Sequence, residues 1–100
     1  MVGNLESSEG LSDEELDKYG YVSSSPRRSS VVKTLHESPE TPKKIAKKSD
    51  INMSHVSNIL NELSEENIVI CVNPDRNRGR VYRLTEVGSK IARKLLNQHD

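Results

Sequence analysis

The residues with most chemistry to offer are closely spaced cations and a run of uncharged hydrogen-bonding side chains. In the stretch NPDRNRGRVYRL, residues 73–84, arginines recur at Arg76, Arg78 and Arg80 beside a Pro-Asp pair and a glycine. Residues two apart in an antiparallel hairpin point the same way, so the three form a row unless Asn77 or Gly79 bends it. A protruding basic loop of this kind suits backbone phosphates, or a narrow minor groove where arginine is favoured. Solubility alone would be served equally well by Glu or Lys. Lys43 and Lys44 form a second set, in the first turn of an expected helix. The positive end of the helix macrodipole disfavours cations there, while the free backbone N–H groups already attract anions. That placement is poor for stability and good for phosphate.

The third set lies on a helix expected over residues 53–66. Removing its apolar positions Val56, Ile59, Leu60 and Leu63 leaves Met53, Ser54, His55, Ser57, Asn58 and Asn61. A face that is merely solvated usually carries Glu and Lys, as residues 62–66 partly do. Asn bonds bidentately to adenine in the major groove, and Ser or His bonds several base edges.

Other chemistries find little support. The glycines stand singly at positions 3, 10, 20, 79 and 88, so there is no glycine-rich phosphate loop. His36, His55 and His99 have no metal-ligand spacing with one another or with Cys71. No nucleophile, base and orienting acid can be assembled, so neither an enzyme nor a cofactor is expected. Cys71, the single cysteine, excludes an internal disulfide, fits a reducing cytoplasm and reads as a small hydrophobe in a buried strand. The longest apolar run is Ile68–Val72, too short to span a membrane, and the N-terminus shows no secretion signal.

Local signals supply the elements that would position these side chains. One hundred residues suit a single small domain, with a thin Val, Ile and Leu core because Trp and Phe are absent. LSDEEL carries a capping box, Ser12 with Glu15, and a staple pair, Leu11 with Leu16. It opens a helix of about two turns closed by Gly20 and anchored by Leu16, Tyr19, Tyr21 and Val22. Ser25-Pro26 and Thr41-Pro42 each cap a helix with proline at its first position. The first turns Val31, Val32 and Leu35 inward; the second, near 42–49, turns Ile45 and Ala46 inward. Asn52 caps the next helix, and Asn67 suits the left-handed residue after it. Residues 68–72 and 81–84 read as antiparallel strands across the arginine turn. Thr85 caps a last helix with a wide apolar stripe, Val87, Gly88, Ile91, Ala92, Leu95 and Leu96. The fold class is mainly α with a small β-hairpin, and Ala46 is the small residue a helix-turn-helix needs for close crossing.

Charge divides the chain. Residues 1–25 hold six acids and one base, and residues 26–100 hold fourteen bases and nine acids, so a segment of −5 precedes a body of +5. The expected organisation is an acidic, largely flexible arm over 1–20 and a folded domain over 21–100. An acidic arm on a basic body points to an anionic partner, with which the arm can compete.

From about Tyr21 to Leu96 the chain resembles winged-helix transcriptional regulators of the MarR/ArsR type, especially compact archaeal members. The stretches that carry the likeness are TPKKIAKKSDINMSHVSNILNELSEENIV and NPDRNRGRVYRLTEVG. The resemblance implies a three-helix core with a wing and a C-terminal helix. It assigns base reading to Ser54, His55, Ser57, Asn58 and Asn61, on a recognition helix over 53–66. It assigns the DNA backbone to Lys43, Lys44, Arg76, Arg78 and Arg80, with the wing over 73–80. Asp50 stands where such proteins usually carry Gly or a small polar residue, and Asn67 replaces a common Gly. The expected function is sequence-specific binding of double-stranded DNA by a cytoplasmic regulator. The wide final stripe suggests a homodimer through the C-terminal helix, with half-sites roughly 34–36 Å apart. The alternative is a winged-helix protein-interaction module that binds no DNA.

Overall fold

The computed structural model describes residues 10–97. Of the arm expected to be flexible over 1–20, residues 1–9 lie outside the described residues, as does His99. Five helices and one hairpin follow in order within them: α1 (Asp13–Ser23), α2 (Pro26–Glu37), α3 (Pro42–Ser49), α4 (Met53–Glu65), β1 (Val69–Cys71), β2 (Tyr82–Leu84) and α5 (Glu86–Leu96).

The predicted caps explain where the helices start. Ser12 Oγ accepts from the Glu15 N–H at 3.1 Å while Glu15 Oε1 accepts from the Ser12 N–H at 3.0 Å, a complete capping box. Ser25, Thr41, Asn52 and Thr85 each accept from a backbone N–H of the helix they precede. Asn67 adopts the left-handed conformation at φ 60°, and the Ile68 N–H returns to the Leu63 carbonyl at 2.9 Å.

The helix expected to close at Gly20 instead runs on to Ser23, so a boundary drawn after residue 20 falls inside it. Gly20 is exposed and weakens the helix by about 1 kcal/mol relative to alanine. Burial of Val22 behind it, with Tyr19 and Tyr21 packed on the core, favours continuation. Leu16, expected as an anchor, is 36% exposed, whereas Leu11 ahead of the cap is buried. Helix α1 lies on α2 and α5, with Glu15 Oε2 3.5 Å from Lys90 Nζ and Lys94 over the Tyr19 ring.

One apolar core joins Val31, Val32, Leu35, Ile45, Val56, Leu60, Leu63, Ile68 and Ile91. The hairpin adds Val69 and Leu84, which pair across the strands and are both buried. Ile70 and Arg83, the next pair, face outward, and Val72 is also exposed. The strand expected to be buried is thus buried on one face only. Glu40 adds a one-residue third strand, exchanging hydrogen bonds with Tyr82 at 2.9 and 3.1 Å. It ties the α2–α3 connection to the wing.

Two backbone details fix how the helices meet. Asp50 ends α3 in the left-handed region at φ 59°, and the Ile51 N–H reaches the Ala46 carbonyl at 3.1 Å, turning the chain into α4. Gly88 sits where α5 crosses the hairpin, and a Cβ there would lie 2.1 Å from the Ile68 carbonyl oxygen. Only glycine permits that approach. Thr85 Oγ1 reinforces the crossing by donating to the carbonyls of Asn67 and Ile68. The stripe on α5 that looked wide enough for a partner is mostly covered within the protomer. Gly88, Ile91, Ala92 and Leu95 are buried, leaving Leu96 at 39% exposure.

Candidate nucleic-acid interface

Successive residues of α4 are rotated by about 100° around its axis. With Val56, Ile59, Leu60 and Leu63 sealed against the body, the opposite arc is fixed. Asn61, Ser54 and Asn58 occupy its middle, Ser57 and Met53 one side, and Glu62 and His55 the other. All seven are exposed. Ser54 also donates its hydroxyl to Asn52 Oδ1 at 2.7 Å, which steadies the first turn. The five residues proposed for base reading therefore share one solvent-facing arc, which also carries the exposed acids Glu62 and Glu65 toward its C-terminal end.

The Met53 edge opens onto a groove of about 390 Å³ between α3 and the wing, lined by Thr41, Pro42, Lys43, Met53, Arg78 and Arg80 among others. The structure separates the two lysines that the sequence pairs. Lys43 lines this groove, whereas Lys44 joins Lys47, Lys48 and Glu40 around a different hollow. There Glu40 accepts from Lys48 Nζ at 2.7 Å and from Ser38 Oγ at 2.8 Å. These bonds, the lysine's first, hold the Glu40 carboxyl below its ordinary pKa, and the bond to Glu40 raises that of Lys48. Lys47 is exposed in the same cluster, a cation that the sequence reading did not single out.

The wing departs from the expected row of arginines. Strand pairing ends with the Val72 N–H on the Val81 carbonyl at 2.8 Å, and the chain between them is irregular. Asn73 closes this loop: its Oδ1 accepts from the Val81 N–H at 2.8 Å, and its Nδ2 donates to the Gly79 carbonyl at 3.1 Å. Arg80 folds back on the loop, donating from Nε to the Arg76 carbonyl at 2.6 Å and from a terminal nitrogen to the Pro74 carbonyl at 3.1 Å. Gly79 makes the bend at φ 67°. Arg80, exposed like Arg76 and Arg78, is thus a brace of the wing, while the other two stand on the loop it braces. Asn73 was missed because a lone Asn before Pro reads only as turn punctuation.

The acids of α1 lie elsewhere. Glu14 and Asp17 line a hollow with Lys18, Tyr21 and Glu66, at the C-terminal end of α4. Lys18 Nζ stands 3.7 Å from the Glu66 carboxylate. At about 1.5 Å per residue, that end is roughly 18 Å from Met53. Among the described residues no group of three or more His, Cys, Asp or Glu is arranged to hold a metal, and no helix is long and apolar enough to cross a membrane.

Comparison with protein-family models gives no match, and comparison with the curated proteins gives none. Solved structures do match. Lactococcus lactis ZitR, as its C30AH42A mutant, is 24% identical over 75% of this chain, with a TM-score of 0.67. Wild-type ZitR in complex with DNA is 24% identical over the same share, with a TM-score of 0.68. In both cases the match takes in 52% of the ZitR chain, so this protein corresponds to about half of that length. The homodimeric winged helix-turn-helix DNA-binding domain of Mb0332 from Mycobacterium bovis, a possible ArsR-family regulator, is 22% identical. That match covers 87% of this chain and 82% of the other, with a TM-score of 0.61. These likenesses establish the fold: the chain is a winged helix-turn-helix domain.

Proposed function

We propose that the protein is a transcriptional regulator that binds double-stranded DNA without catalysis. Helix α4 enters the major groove, and the wing lies on the flanking backbone or minor groove. The observation that carries this reading is the α4 arc, where Ser54, Ser57 and Asn61 lie beside a cationic groove holding Lys43 and Arg78. A helix about 10–12 Å across fits a major groove about 12 Å wide. Uncharged donors and acceptors then meet base edges while the cations meet phosphate. His55 and Asn58 read bases nearer the α2 edge. Lys44 and Arg76 add backbone contacts, and Arg80 contributes by shaping the wing. ZitR, similar in fold, has been solved with DNA, which supports the reading.

The regulator is of the MarR/ArsR kind and acts in the cytoplasm; its likeness to compact archaeal members rests on the two quoted sequence stretches. It works as a homodimer through α5, with Leu96 of α5 and Leu16 of α1 as exposed apolar residues at hand. The Mb0332 domain, similar in fold, is homodimeric, which supports a homodimer. The division into an acidic arm and a basic body stands within the proposal, although the described acids of α1 gather away from the cationic groove.

The test is selection of a preferred site from random duplexes, followed by binding of Ser57→Ala and Asn61→Ala. Each substitution lowers preference for the selected site over mixed-sequence DNA by roughly 5- to 150-fold, the equivalent of about 1–3 kcal/mol. Selection that enriches no sequence, with the variants indistinguishable from the parent, would move the reading to an interaction module.

A further inference from the structure

On the α4 flank away from the wing, a cavity of about 250 Å³ opens between α2 and α4, lined by Ser25, Arg27, Arg28, His55, Asn58 and Glu62. Its two arginines are in different states. Arg28 is half-buried, with its guanidinium 3.8 Å from the centre of the Tyr21 ring. It donates to the Tyr21 carbonyl at 2.9 Å and lies 3.8 Å from the Glu62 carboxylate. Arg27 is exposed and has no hydrogen bond or ion pair among the described residues.

A helix lying in a major groove has a phosphate backbone along each of its flanks, one from each strand. The wing side of α4 meets one strand with Lys43 and Arg78. On the other side the arc carries Glu62, a charge that opposes DNA. We propose that the cavity between α2 and α4 is a second backbone-phosphate seat, in which Arg27 holds the phosphate and Arg28, stacked on Tyr21, neutralises Glu62. Arg28 acts here as a positioning residue. Its guanidinium is engaged by the Tyr21 carbonyl and ring, and its charge is directed at the carboxylate. His55 and Asn58, on the same wall, are thereby kept in a neutral surrounding where they can read a base beside the seated phosphate. This inference rests on the reading that α4 faces duplex DNA, and it adds a grip on the second strand.

The test measures binding of the full chain to a mixed-sequence 20-base-pair duplex across a salt series. The variants are Arg27→Ala, Lys43→Ala, Arg28→Ala, Glu62→Gln and the Arg28→Ala/Glu62→Gln double. Arg27→Ala flattens the log–log salt slope by about one, as does Lys43→Ala on the other flank. Arg28→Ala weakens binding by roughly tenfold, and adding Glu62→Gln recovers most of that loss, because the carboxylate is then no longer charged. An unchanged slope for Arg27→Ala, with Lys43→Ala flattened, overturns the second seat and leaves the DNA reading standing. Failure of Glu62→Gln to recover binding overturns the positioning role and makes Arg28 a direct contact. Absence of binding by the parent protein at low salt removes the DNA reading and this inference together. Arg27 makes no contact that the fold uses, so its arm of the test holds even where Arg28→Ala is poorly folded.

Discussion

In the body of the domain Val31, Val32, Ile45, Val56, Leu63 and Ile91 are sealed from water, whereas no residue from Val72 to Val81 is buried. The body is held by area removed from water, which is non-directional and accumulates over many side chains. The wing loop is held by a few directional bonds from Asn73 and Arg80 to its own backbone. Loss of one body contact is felt throughout, while loss of one wing clamp changes only the shape of an exposed loop. If the wing grips DNA as proposed, stability and grip reside in different residues, and substitutions can separate them.

The largest effects are expected in the body. Leu63→Ala should cost about 2–5 kcal/mol through lost burial and the cavity left behind, read as a lowered urea midpoint. Gly88→Ala should cost about 3 kcal/mol or more, because the new methyl must push the hairpin off α5. A Gly88→Ala protein as stable as the parent would contradict the crossing described for α5. The wing gives the opposite pattern. Asn73→Ala should lower stability by no more than about 1–1.5 kcal/mol, the usual net value of exposed hydrogen bonds. It should nonetheless weaken DNA binding by roughly tenfold, with faster amide exchange at Val81. Equal losses in stability and binding would show that the wing is not a separable unit.

The smallest expected effect concerns acid. Glu15 lies below its ordinary pKa, chiefly through the Ser12 N–H, and Glu40 through Lys48 and then Ser38. A carboxylate whose folded pKa is depressed stabilises the fold above its unfolded pKa of about 4.3, and that contribution is lost as pH falls further. Thermal midpoints should hold steady from neutrality to about pH 5 and then decline. In the Glu15→Gln/Glu40→Gln double variant that decline should be shallower, and the same acid sensitivity in both proteins would rule these two groups out as its source.

The same contrast decides what could be read from the sequence. The body was legible because hydrophobic periodicity and caps are local: Val56, Ile59, Leu60 and Leu63 declare their helix, and Thr41-Pro42 declares its start. The solvent-facing arc of α4 followed by subtraction. The wing was legible as a turn between strands, but not in its form, because side-chain-to-backbone clamps leave no periodic trace. Arg80 and Arg78 look equivalent in sequence, and only the fold ties one of them to the loop backbone. Glu40 could not be seen as a strand, since one residue carries no alternation. Gly20 read as a stop because tertiary burial of Val22 is not a local signal. The cavity beside Arg27 joins residues 25–28 to 55–62, a meeting that needs the folded packing of α2 on α4.

The central claim is that the α3–wing groove grips a nucleic-acid backbone beside α4. Its most direct test is the salt dependence of duplex binding for the parent and for Lys43→Ala/Arg78→Ala, two exposed substitutions that leave the Asn73 and Arg80 clamps in place. The account predicts binding that falls steeply with salt, and a log–log slope flatter by about two in the variant. Coincident slopes, or no binding by the parent at low salt, would contradict it.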